Sequence, residues 1–332
     1  MPISVPADLL SALQDAQTLL CVSHVNADGD AYGSLLGFTY LLRQLGKSVT
    51  PVMPDPLAPE FAFLPGAEEI VPPTAIHSRF DLAVSLDLSS PDRMGSAAAL
   101  IDGARLPLAV IDHHATNTHF GQFHWVDARC AATSQMIVAL ADAFQVTLDR
   151  PLAECLLTGI VTDTLCFRTS NTTPAVLEAA MRLQQAGADL AQIVQQTLHR
   201  LPFRTLQLWA LVLPHLQLRE GVVWATVSQQ QLHTVGLQSA DLRLSNVLSS
   251  VNEAVISAIF TEKQSPNGDP MVECSFRARP GYDVGKVAFQ LGGGGHVPAS
   301  GCTLAGTPDD VVARVLPLLF AASRQPAPQH TP

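Results

Sequence analysis

Acidic and imidazole side chains recur in short segments whose spacing could bind metal ions. HVNADGD (24–30) places three such side chains within seven residues, and a single glycine separates its two aspartates. Carboxylate oxygens and imidazole nitrogens without a thiolate favour Mn²⁺ or Mg²⁺ over a structural zinc ion. The candidates over the whole chain are His24, Asp28, Asp30, Asp87, Asp112, His113, His114 and Asp163.

This set of side chains suits two cations better than one. Several carboxylates in one place repel each other unless cations neutralise them, and a pair of divalent ions would bring such a pocket close to neutrality. Two ions roughly 3.5–4 Å apart can hold a nucleophilic hydroxide and stabilise the charge that develops on a phosphoryl group. A single aspartate or histidine of this kind is usually a solvated loop residue, but the joint occurrence indicates phosphoester hydrolysis.

Short apolar runs alternate with amphipathic segments in the first half of the chain, which predicts an α/β fold with a doubly wound, mostly parallel sheet. Ligands of such sheets bind beyond the carboxyl ends of the strands, where HVNADGD, Asp87 and DHH all fall. We expect strands at 18–24, 47–53, 81–88 and 106–114, and helices at 34–46, 132–145 and 152–164.

The second half predicts a smaller α/β domain. Its pattern is helical to about residue 216, and a strand (221–228), a hairpin around QSPNGDP, a helix (284–292) and a final helix follow. The expected organisation is a catalytic domain (1–190), a helical linker (191–216), a substrate-binding domain (217–325) and a disordered tail (326–332).

Composition limits the partners. The 332 residues include 47% apolar and 14% charged residues, enough apolar material for two cores, and the formal net charge is −10. A protein that coats long nucleic acids usually has a basic surface, so we expect a small anionic substrate. The N-terminus has no signal-peptide pattern and no run approaches the ~18 apolar residues of a membrane span, which predicts a cytoplasmic protein without a membrane partner.

Five motifs, spread over residues 18–305, carry a family resemblance. Four of them resemble the successive motifs of the DHH phosphoesterase superfamily: HVNADGDAYGS (24–34), SLDLS (85–89), IDHH (111–114) and TGIVTDTLCFRTSNTT (158–173). The fifth, GGGGHVPASG (292–301) preceded by SFRAR (275–279), resembles the glycine-rich signature of the DHH-associated C-terminal domain. The chain as a whole is similar to the stand-alone bacterial nanoRNase and pAp phosphatase type.

The resemblance implies a binding site for two divalent cations, Mn²⁺ or alternatively Mg²⁺, with Asp87 as the bridge. One cation would be bound by His24, Asp28 and Asp87, and the other by Asp30, Asp87, His113 and Asp163. His114 would face the substrate phosphate as a hydrogen-bond donor or leaving-group acid. Asp112 would orient the histidines rather than bind a cation directly.

Further residues are candidates for contacts with the substrate. Arg168 follows Asp163 closely and could grip a phosphate through its fork of donors, with Asn171 assisting. In the second domain, Arg277 and Arg279 alternate with apolar residues on a predicted strand and can point to one face. One of them, Arg277 by its position in the motif, is expected to bind a phosphate or the terminal nucleotide of the substrate. GGGGH can turn bare backbone N–H groups toward phosphate oxygens. The contacts expected in the second domain are Arg277, Gly294, Gly295 and His296.

The chain departs from the family directly after His296. Relatives commonly have a Lys-Asn pair at this point, whereas this chain has Val297 and Pro298. A cation and an amide are therefore missing, and the substrate preference is open at this position.

The leading functional prediction is hydrolysis of short RNA oligonucleotides (nanoRNA, pApA) to mononucleotides together with dephosphorylation of pAp, by an enzyme that the family predicts to be a homodimer. A cyclic-di-AMP phosphodiesterase, with cyclic dinucleotides as partners, would use the same motifs. A family II pyrophosphatase would need a more basic second domain, and a RecJ-like exonuclease would need further domains and a basic channel. A catalytically silent nucleotide sensor is the alternative of a different class, against which the complete ligand set argues.

Overall fold

The computed structural model describes residues 3–237 and 243–325, apart from the side chain of Arg243. The chain forms two compact units, Met1–Arg200 and Leu201–Pro332. Among the described residues, every helix is too short or too polar to cross a membrane.

The first unit is built on a five-stranded parallel sheet with the strand order β2-β1-β3-β4-β5. Its central strands are buried nearly throughout, which explains their almost continuous Leu, Val and Ala content. The strands are β1 (Thr18–Val22), β2 (Ser48–Val52), β3 (Leu82–Leu86), β4 (Leu108–Asp112) and β5 (Phe123–Val126).

Seven α-helices accompany this sheet, and several short helical turns connect its elements. The helices are α1 (Ala7–Asp15), α2 (Gly29–Gln44), α3 (Ala98–Ala104), α4 (Thr133–Ala143), α5 (Arg150–Asp163), α6 (Pro174–Gln185) and α7 (Leu190–Val194). The 3₁₀ turns are Pro59–Phe61, Ala67–Glu69, Pro73–Ala75 and Pro91–Ala97, and a π-helical turn spans Gln195–His199.

Strand register brings the candidate motifs to one edge of the sheet. Val22 at the end of β1 pairs with Ser85 of β3, and Leu86 at the end of β3 pairs with Ile111 of β4. Because the three strands are parallel and end at the same level, the residues that follow them meet at the carboxyl edge.

The second unit contains a six-stranded sheet with the order β10-β11-β9-β8-β7-β6, in which only β7 and β8 pair in parallel among the described strands. Its strands are β6 (Gln217–Arg219), β7 (Val222–Val227), β8 (Ile256–Gln264), β9 (Pro270–Ala278), β10 (Gly294–His296) and β11 (Ala299–Ala305). Its helices are α8 (Phe203–Val212), α9 (Gln229–Val235), α10 (Arg243–Ser249), α11 (Gly285–Gln290) and α12 (Pro308–Ser323), with a 3₁₀ turn at Leu213–His215.

The predicted α/β class is confirmed: a parallel sheet of the expected type is followed by a second, smaller α/β unit. The differences concern where elements begin and end, and strands that the sequence pattern did not indicate. The helix expected at 34–46 already begins at Gly29, and β5, β10 and β11 were not anticipated. Within the glycine run, Gly294 and Gly295 pair with β11 as part of a strand. The predicted tail (326–332) lies outside the described residues.

Candidate metal centre

Asp28 and Asp30 are positioned by the start of α2. Asp28 caps this helix, because its Oδ1 accepts hydrogen bonds from the backbone N–H groups of Asp30 (3.0 Å) and Ala31 (3.1 Å). Asp30 therefore lies in the first helical turn, where it is completely buried, whereas the side chain of Asp28 is 59% exposed. The single glycine between the two aspartates is the first residue of the helix.

Close packing of α2 against α5 brings Asp163 to the same place. A Cβ atom at Gly33 would lie 2.6 Å from the carbonyl oxygen of Cys155, and one at Gly29 would lie 2.4 Å from the Thr162 side chain. Only bare glycine backbone permits this approach, and it sets the start of α2 beside the end of α5. Asp163 is the last residue of α5, where a carboxylate meets the negative end of the helix dipole. This position is therefore unfavourable for the helix, but it places the carboxylate of Asp163 beside the other acidic side chains.

Asp87 lies between two histidines. Its Oδ2 is 3.5 Å from Nε2 of His24, and its Oδ1 is 3.5 Å from Nε2 of His113. The backbone of Asp87 has φ = +64°, a left-handed conformation that is uncommon for a residue other than glycine. Such strain is typical of functional sites, and here it accompanies a carboxylate that faces two imidazoles at once.

The remaining donors complete two groups around this carboxylate. His24 Nε2 is 3.9 Å from Asp28 Oδ1, while His113 Nε2 is 3.2 Å from Asp163 Oδ2 and 4.0 Å from Asp30 Oδ2. Within each group, the ligand atoms lie within 4.8 Å of one another. The two groups that share no residue are His24, Asp28 and Asp87, and Asp30, His113 and Asp163, while Asp87, His113 and His114 form a third group that overlaps both.

This spacing fits cation binding. Nitrogen and oxygen ligands about 2.1 Å from a metal at near-tetrahedral or octahedral angles lie roughly 3–3.5 Å apart, close to the observed separations. Burial raises the pKa of Asp30. Asp87 and Asp163 are affected more strongly, because burial and the charges of Asp30 and Asp28 together raise the pKa of each well above the usual range of an aspartate. The bare cluster therefore resists ionisation, and divalent cations would supply the missing positive charge.

His113 compensates this acidity only in part. Burial by itself disfavours the charged ring, but the carboxylates of Asp87 and Asp30 outweigh this effect and raise the pKa of His113. One imidazolium cannot neutralise four neighbouring carboxylates. The donor set thus fits the divalent cations expected from the sequence.

The start of α4 holds the carboxylates in place, which the sequence pattern did not reveal. The backbone N–H groups of Thr133 and Ser134 donate to the two oxygens of Asp30 at 2.5 Å and 2.9 Å, and the Thr133 hydroxyl donates to Asp87 Oδ1 at 3.0 Å. A helix start is a natural anion site, because its N–H groups lack partners within the helix. The signal available in the sequence was the Thr-Ser pair at the beginning of the predicted helix.

Asp112 does not belong to either group but orients His114. Its Oδ1 accepts from Nδ1 of His114 at 2.7 Å, and its Oδ2 accepts from the Asn117 side chain at 2.6 Å. Burial alone would raise the pKa of Asp112, but the hydrogen bond and charge of His114 lower it below its usual value. His114 Nδ1 is 3.6 Å from Asp87 Oδ1, yet this nitrogen is already bonded to Asp112. Asn117 was not anticipated from the sequence.

Arg168 and Asn171 lie in an unusual turn after Asp163. Leu165, Cys166 and Phe167 all have φ between +47° and +64°, three consecutive left-handed residues without a glycine. Arg168 is exposed, and its Nε donates to the carbonyl of Leu165. Asn171 donates to the carbonyl of Ala131 (3.4 Å) and accepts from the hydroxyl of Thr169. Arg168 and Asn171 thus lie near the end of α5, but neither belongs to the two donor groups.

In the second unit, Arg277, Gly294 and Gly295 line a common surface pocket of about 430 Å³. Arg277 is half-buried, burial lowers its pKa, and its Nη1 donates to the carbonyl of Phe276. Among the described residues it forms no ion pair with a carboxylate. An arginine without a counter-charge in an open pocket can bind an anion.

His296, Val297 and Pro298 form the end of the β10–β11 hairpin. His296 pairs with Ala299, which leaves Val297 and Pro298 as the turn. The carbonyl oxygens of the two turn residues accept from the N–H groups of Val284 and Ala278. Val297 is 52% exposed, so the position at which the resemblance leads us to expect a lysine faces solvent.

The parallel sheet and the paired carboxylate-imidazole groups at its edge define a metal-dependent phosphoesterase. The model of the N-terminal domain of the DHH family matches residues 18–160. The bifunctional oligoribonuclease and PAP phosphatase NrnA of Thermus thermophilus is 35% identical over 312 residues, which cover 93% of this chain and 91% of that protein. The chain belongs to the DHH family.

Solved structures show the same fold. An exopolyphosphatase-related protein from Bacteroides fragilis superimposes with a TM-score of 0.86 at 20% identity, and the match covers 96% of this chain and 97% of that one. RecJ from Thermus thermophilus in complex with Mn²⁺ matches with a TM-score of 0.55 at 14% identity, over 98% of this chain and 57% of that chain.

Proposed function

We propose that this enzyme hydrolyses short oligoribonucleotides to mononucleotides and dephosphorylates pAp. The observation that carries the proposal is the position of Asp87, whose two carboxylate oxygens face His24 on one side and His113 on the other. The relatives named as oligoribonuclease and PAP phosphatase, one of which is aligned over nearly the whole chain, support the same substrates.

Two divalent cations fit this arrangement, and we expect Mn²⁺, with Mg²⁺ as the alternative. His24, Asp28 and Asp87 would hold one, and Asp30, Asp87, His113 and Asp163 would hold the other. When bound, such a pair supplies a hydroxide at neutral pH and positive charge for the phosphoryl oxygens. The backbone N–H groups of Thr133 and Ser134 fix the Asp30 carboxylate beforehand, so that the site does not reorganise during the reaction.

His114 is the candidate for proton transfer. Asp112, held by Asn117, accepts the Nδ1 proton of His114 and so fixes the ring orientation. Nε2 is then the ring nitrogen available to a substrate oxygen, and the side chain is 25% exposed. In this role His114 donates to the oxygen that leaves when the phosphoester bond breaks.

Nucleotide binding is assigned to residues 217–325, and specifically to the pocket that contains Arg277, Gly294 and Gly295. The guanidinium would bind a phosphate of the substrate, and His296 at the hairpin end would add a further donor. Arg168 and Asn171 are proposed to contact the phosphate near α5. A net charge of −10 disfavours long nucleic acids and agrees with a short substrate.

Replacing Asp87 by alanine tests the proposal. With Mn²⁺ present, the wild-type protein should release AMP from pApA, and Asp87→Ala should lower kcat/KM by at least about 10³-fold, because both proposed cation sites lose a shared ligand. Chromatography of the nucleotide products measures the rate.

The matched control is Asp142→Ala, which removes a carboxylate from the exposed ion pair with Arg182 on the same unit. This variant should retain wild-type turnover. Folded Asp87→Ala protein with near-wild-type activity would refute the assignment of Asp87, and wild-type protein that binds pApA without cleaving it would refute the proposed reaction.

A further inference from the structure

Arg93 lies directly beside the candidate metal centre, although neither the motifs nor the two donor groups include it. It belongs to the 3₁₀ turn Pro91–Ala97, and its Nη2 is 2.9 Å from Nδ1 of His24. The side chain is half-buried. Among the described residues, Arg93 makes no ion pair with a carboxylate.

Four other arginines of the first unit differ in this respect. Each of them has a carboxylate oxygen within 4.0 Å. These are Arg43, Arg129, Arg150 and Arg182. Among the described residues, Arg93 makes no such direct pair, although His24, which it contacts, lies beside the carboxylates of Asp28 and Asp87.

The backbone around Arg93 is built for this position. The carbonyl oxygen of Arg93 accepts from the N–H of Val25 at 2.9 Å, which ties the turn to the segment that follows His24. Gly95 has φ = +54°, and a Cβ atom there would lie 2.7 Å from Cγ1 of Val25. Any larger residue would therefore push the turn away from His24.

The hydrogen bond from Arg93 to His24 cannot persist when His24 binds a cation. A histidine that binds through Nε2 carries its proton on Nδ1, and the Val25 carbonyl, 2.9 Å from Nδ1, is the acceptor for that proton. Nη2 of Arg93 then faces an N–H group and cannot donate to it. Within the described structure, the Arg93 side chain has no other protein acceptor.

We propose that Arg93 binds a phosphate oxygen of the substrate beside the cation held by His24, Asp28 and Asp87. This inference rests on the proposed phosphoesterase site and adds a substrate-binding residue to it. A guanidinium suits the task, because it stays charged and presents several N–H groups in one plane to a tetrahedral anion. A phosphate oxygen would then accept the hydrogen bond that Nδ1 of His24 can no longer accept from Arg93.

The test measures binding rather than turnover. AMP, the product of the proposed reaction, and inorganic phosphate are titrated into Mn²⁺-loaded protein by calorimetry, and Mn²⁺ affinity is measured separately without either ligand. Arg93→Gln should weaken the binding of both probes about 10- to 100-fold, the loss expected for one charged hydrogen bond, while Mn²⁺ affinity stays within about 2-fold. Arg93→Lys should recover part of the loss.

Arg79→Gln is the matched control, since it removes the same charge from an exposed position of the first unit and should leave both affinities unchanged. Wild-type binding of phosphate by Arg93→Gln would overturn the inference. So would weakened Mn²⁺ binding with phosphate affinity restored at saturating Mn²⁺, because Arg93 would then only position His24.

Arg93→Lys keeps the comparison valid if the glutamine variant does not fold. A wild-type protein that fails to release AMP from pApA would refute the proposed substrates, whereas the phosphate titrations would still decide the role of Arg93.

Discussion

The two candidate sites of the molecule are built in opposite ways. In the first unit, His24, Asp30 and Asp87 are at most 2% exposed, and the start of α4 holds two of these side chains. In the second unit, β10 is exposed along its length, and within the described part of the chain the Arg277 side chain donates a hydrogen bond only to the neighbouring carbonyl of Phe276. One site is fixed before any ligand arrives, and the other is open.

This difference fits the two tasks that we propose, cation binding in the first unit and nucleotide binding in the second. Cation ligands must keep their geometry, because a shift of about 1 Å at a reacting centre can cost roughly 10²-fold in rate. A nucleotide-binding surface can adapt, and its backbone donors tolerate a change of neighbouring side chains. The four motifs that resemble the DHH superfamily lie in the first unit, whereas in the second unit Val297 and Pro298 follow the glycine run.

The largest effect is expected from disturbing the fixed site through its packing. A Cβ atom at Gly159 would lie 2.1 Å from Oγ of Ser134 and 2.4 Å from Oδ1 of Asp30. Gly159→Ala should therefore destabilise the protein by about 1–3 kcal/mol and displace the Asp30 carboxylate, weakening Mn²⁺ binding roughly 10- to 100-fold. Thermal unfolding and Mn²⁺ titration measure the two effects.

Gly103→Ala provides the control, because Gly103 lies in α3 with no atom within 4 Å of a Cβ at that position. This change should leave Mn²⁺ binding unaltered and stabilise the helix slightly. If Gly159→Ala bound Mn²⁺ as tightly as the wild type, the first site would be adaptable and the contrast between the two sites would fail.

The sequence was sufficient to predict the parallel sheet and the residues that meet at its edge. Apolar strands alternating with helices determine where the strands end, so the positions of Asp87 and His113 followed from their place in the chain. Thr133 and Arg93 were not predicted, because their contacts depend on residues distant in sequence, and Asn117 likewise donates to the distant carbonyl of Leu88 as well as to Asp112. Thr133, for example, is brought to Asp30 and Asp87 by the packing of α4.

Local signals also failed where backbone pairing overrides composition. A run of four glycines carries no strand pattern, but Gly294 and Gly295 form ladder pairs with Gly301 and Ser300. Gly295 has φ = +128°, a conformation that other residues rarely adopt, and a Cβ there would lie 2.5 Å from Cα of Ser300. The glycine is required by the strand itself, which the periodicity of the sequence cannot show.

A smaller, substrate-dependent effect should follow from changing the open site. Arg277→Gln should raise KM for pApA about 10-fold with little change in Mn²⁺ affinity, since it removes one charged contact from the pocket. Hydrolysis of bis-p-nitrophenyl phosphate, which lacks a nucleotide, should be unaffected. Steady-state kinetics with both substrates separates binding from chemistry.

Lys286→Gln is the corresponding control, because it removes a positive charge from a side chain that is 78% exposed on α11. Its KM for pApA should match that of the wild type. An equal loss of activity by Arg277→Gln on both substrates would mean that Arg277 serves the reaction itself, and the division of tasks between the two units would be wrong.

The smallest expected effect concerns the altered turn. Val297 is exposed, and its contribution to the hairpin is a backbone carbonyl that any residue retains, so Val297→Lys should fold normally. The added cation should lower KM for pApA about 2- to 5-fold, and the effect should diminish at high salt, as for any screened surface charge. Val247→Lys, on an exposed position of α10, adds the same charge elsewhere in the second unit and should leave KM unchanged. An equal gain in both variants would indicate a general charge effect, and the second site would then owe its substrate preference to Arg277 and the glycine backbone rather than to the residues that follow His296.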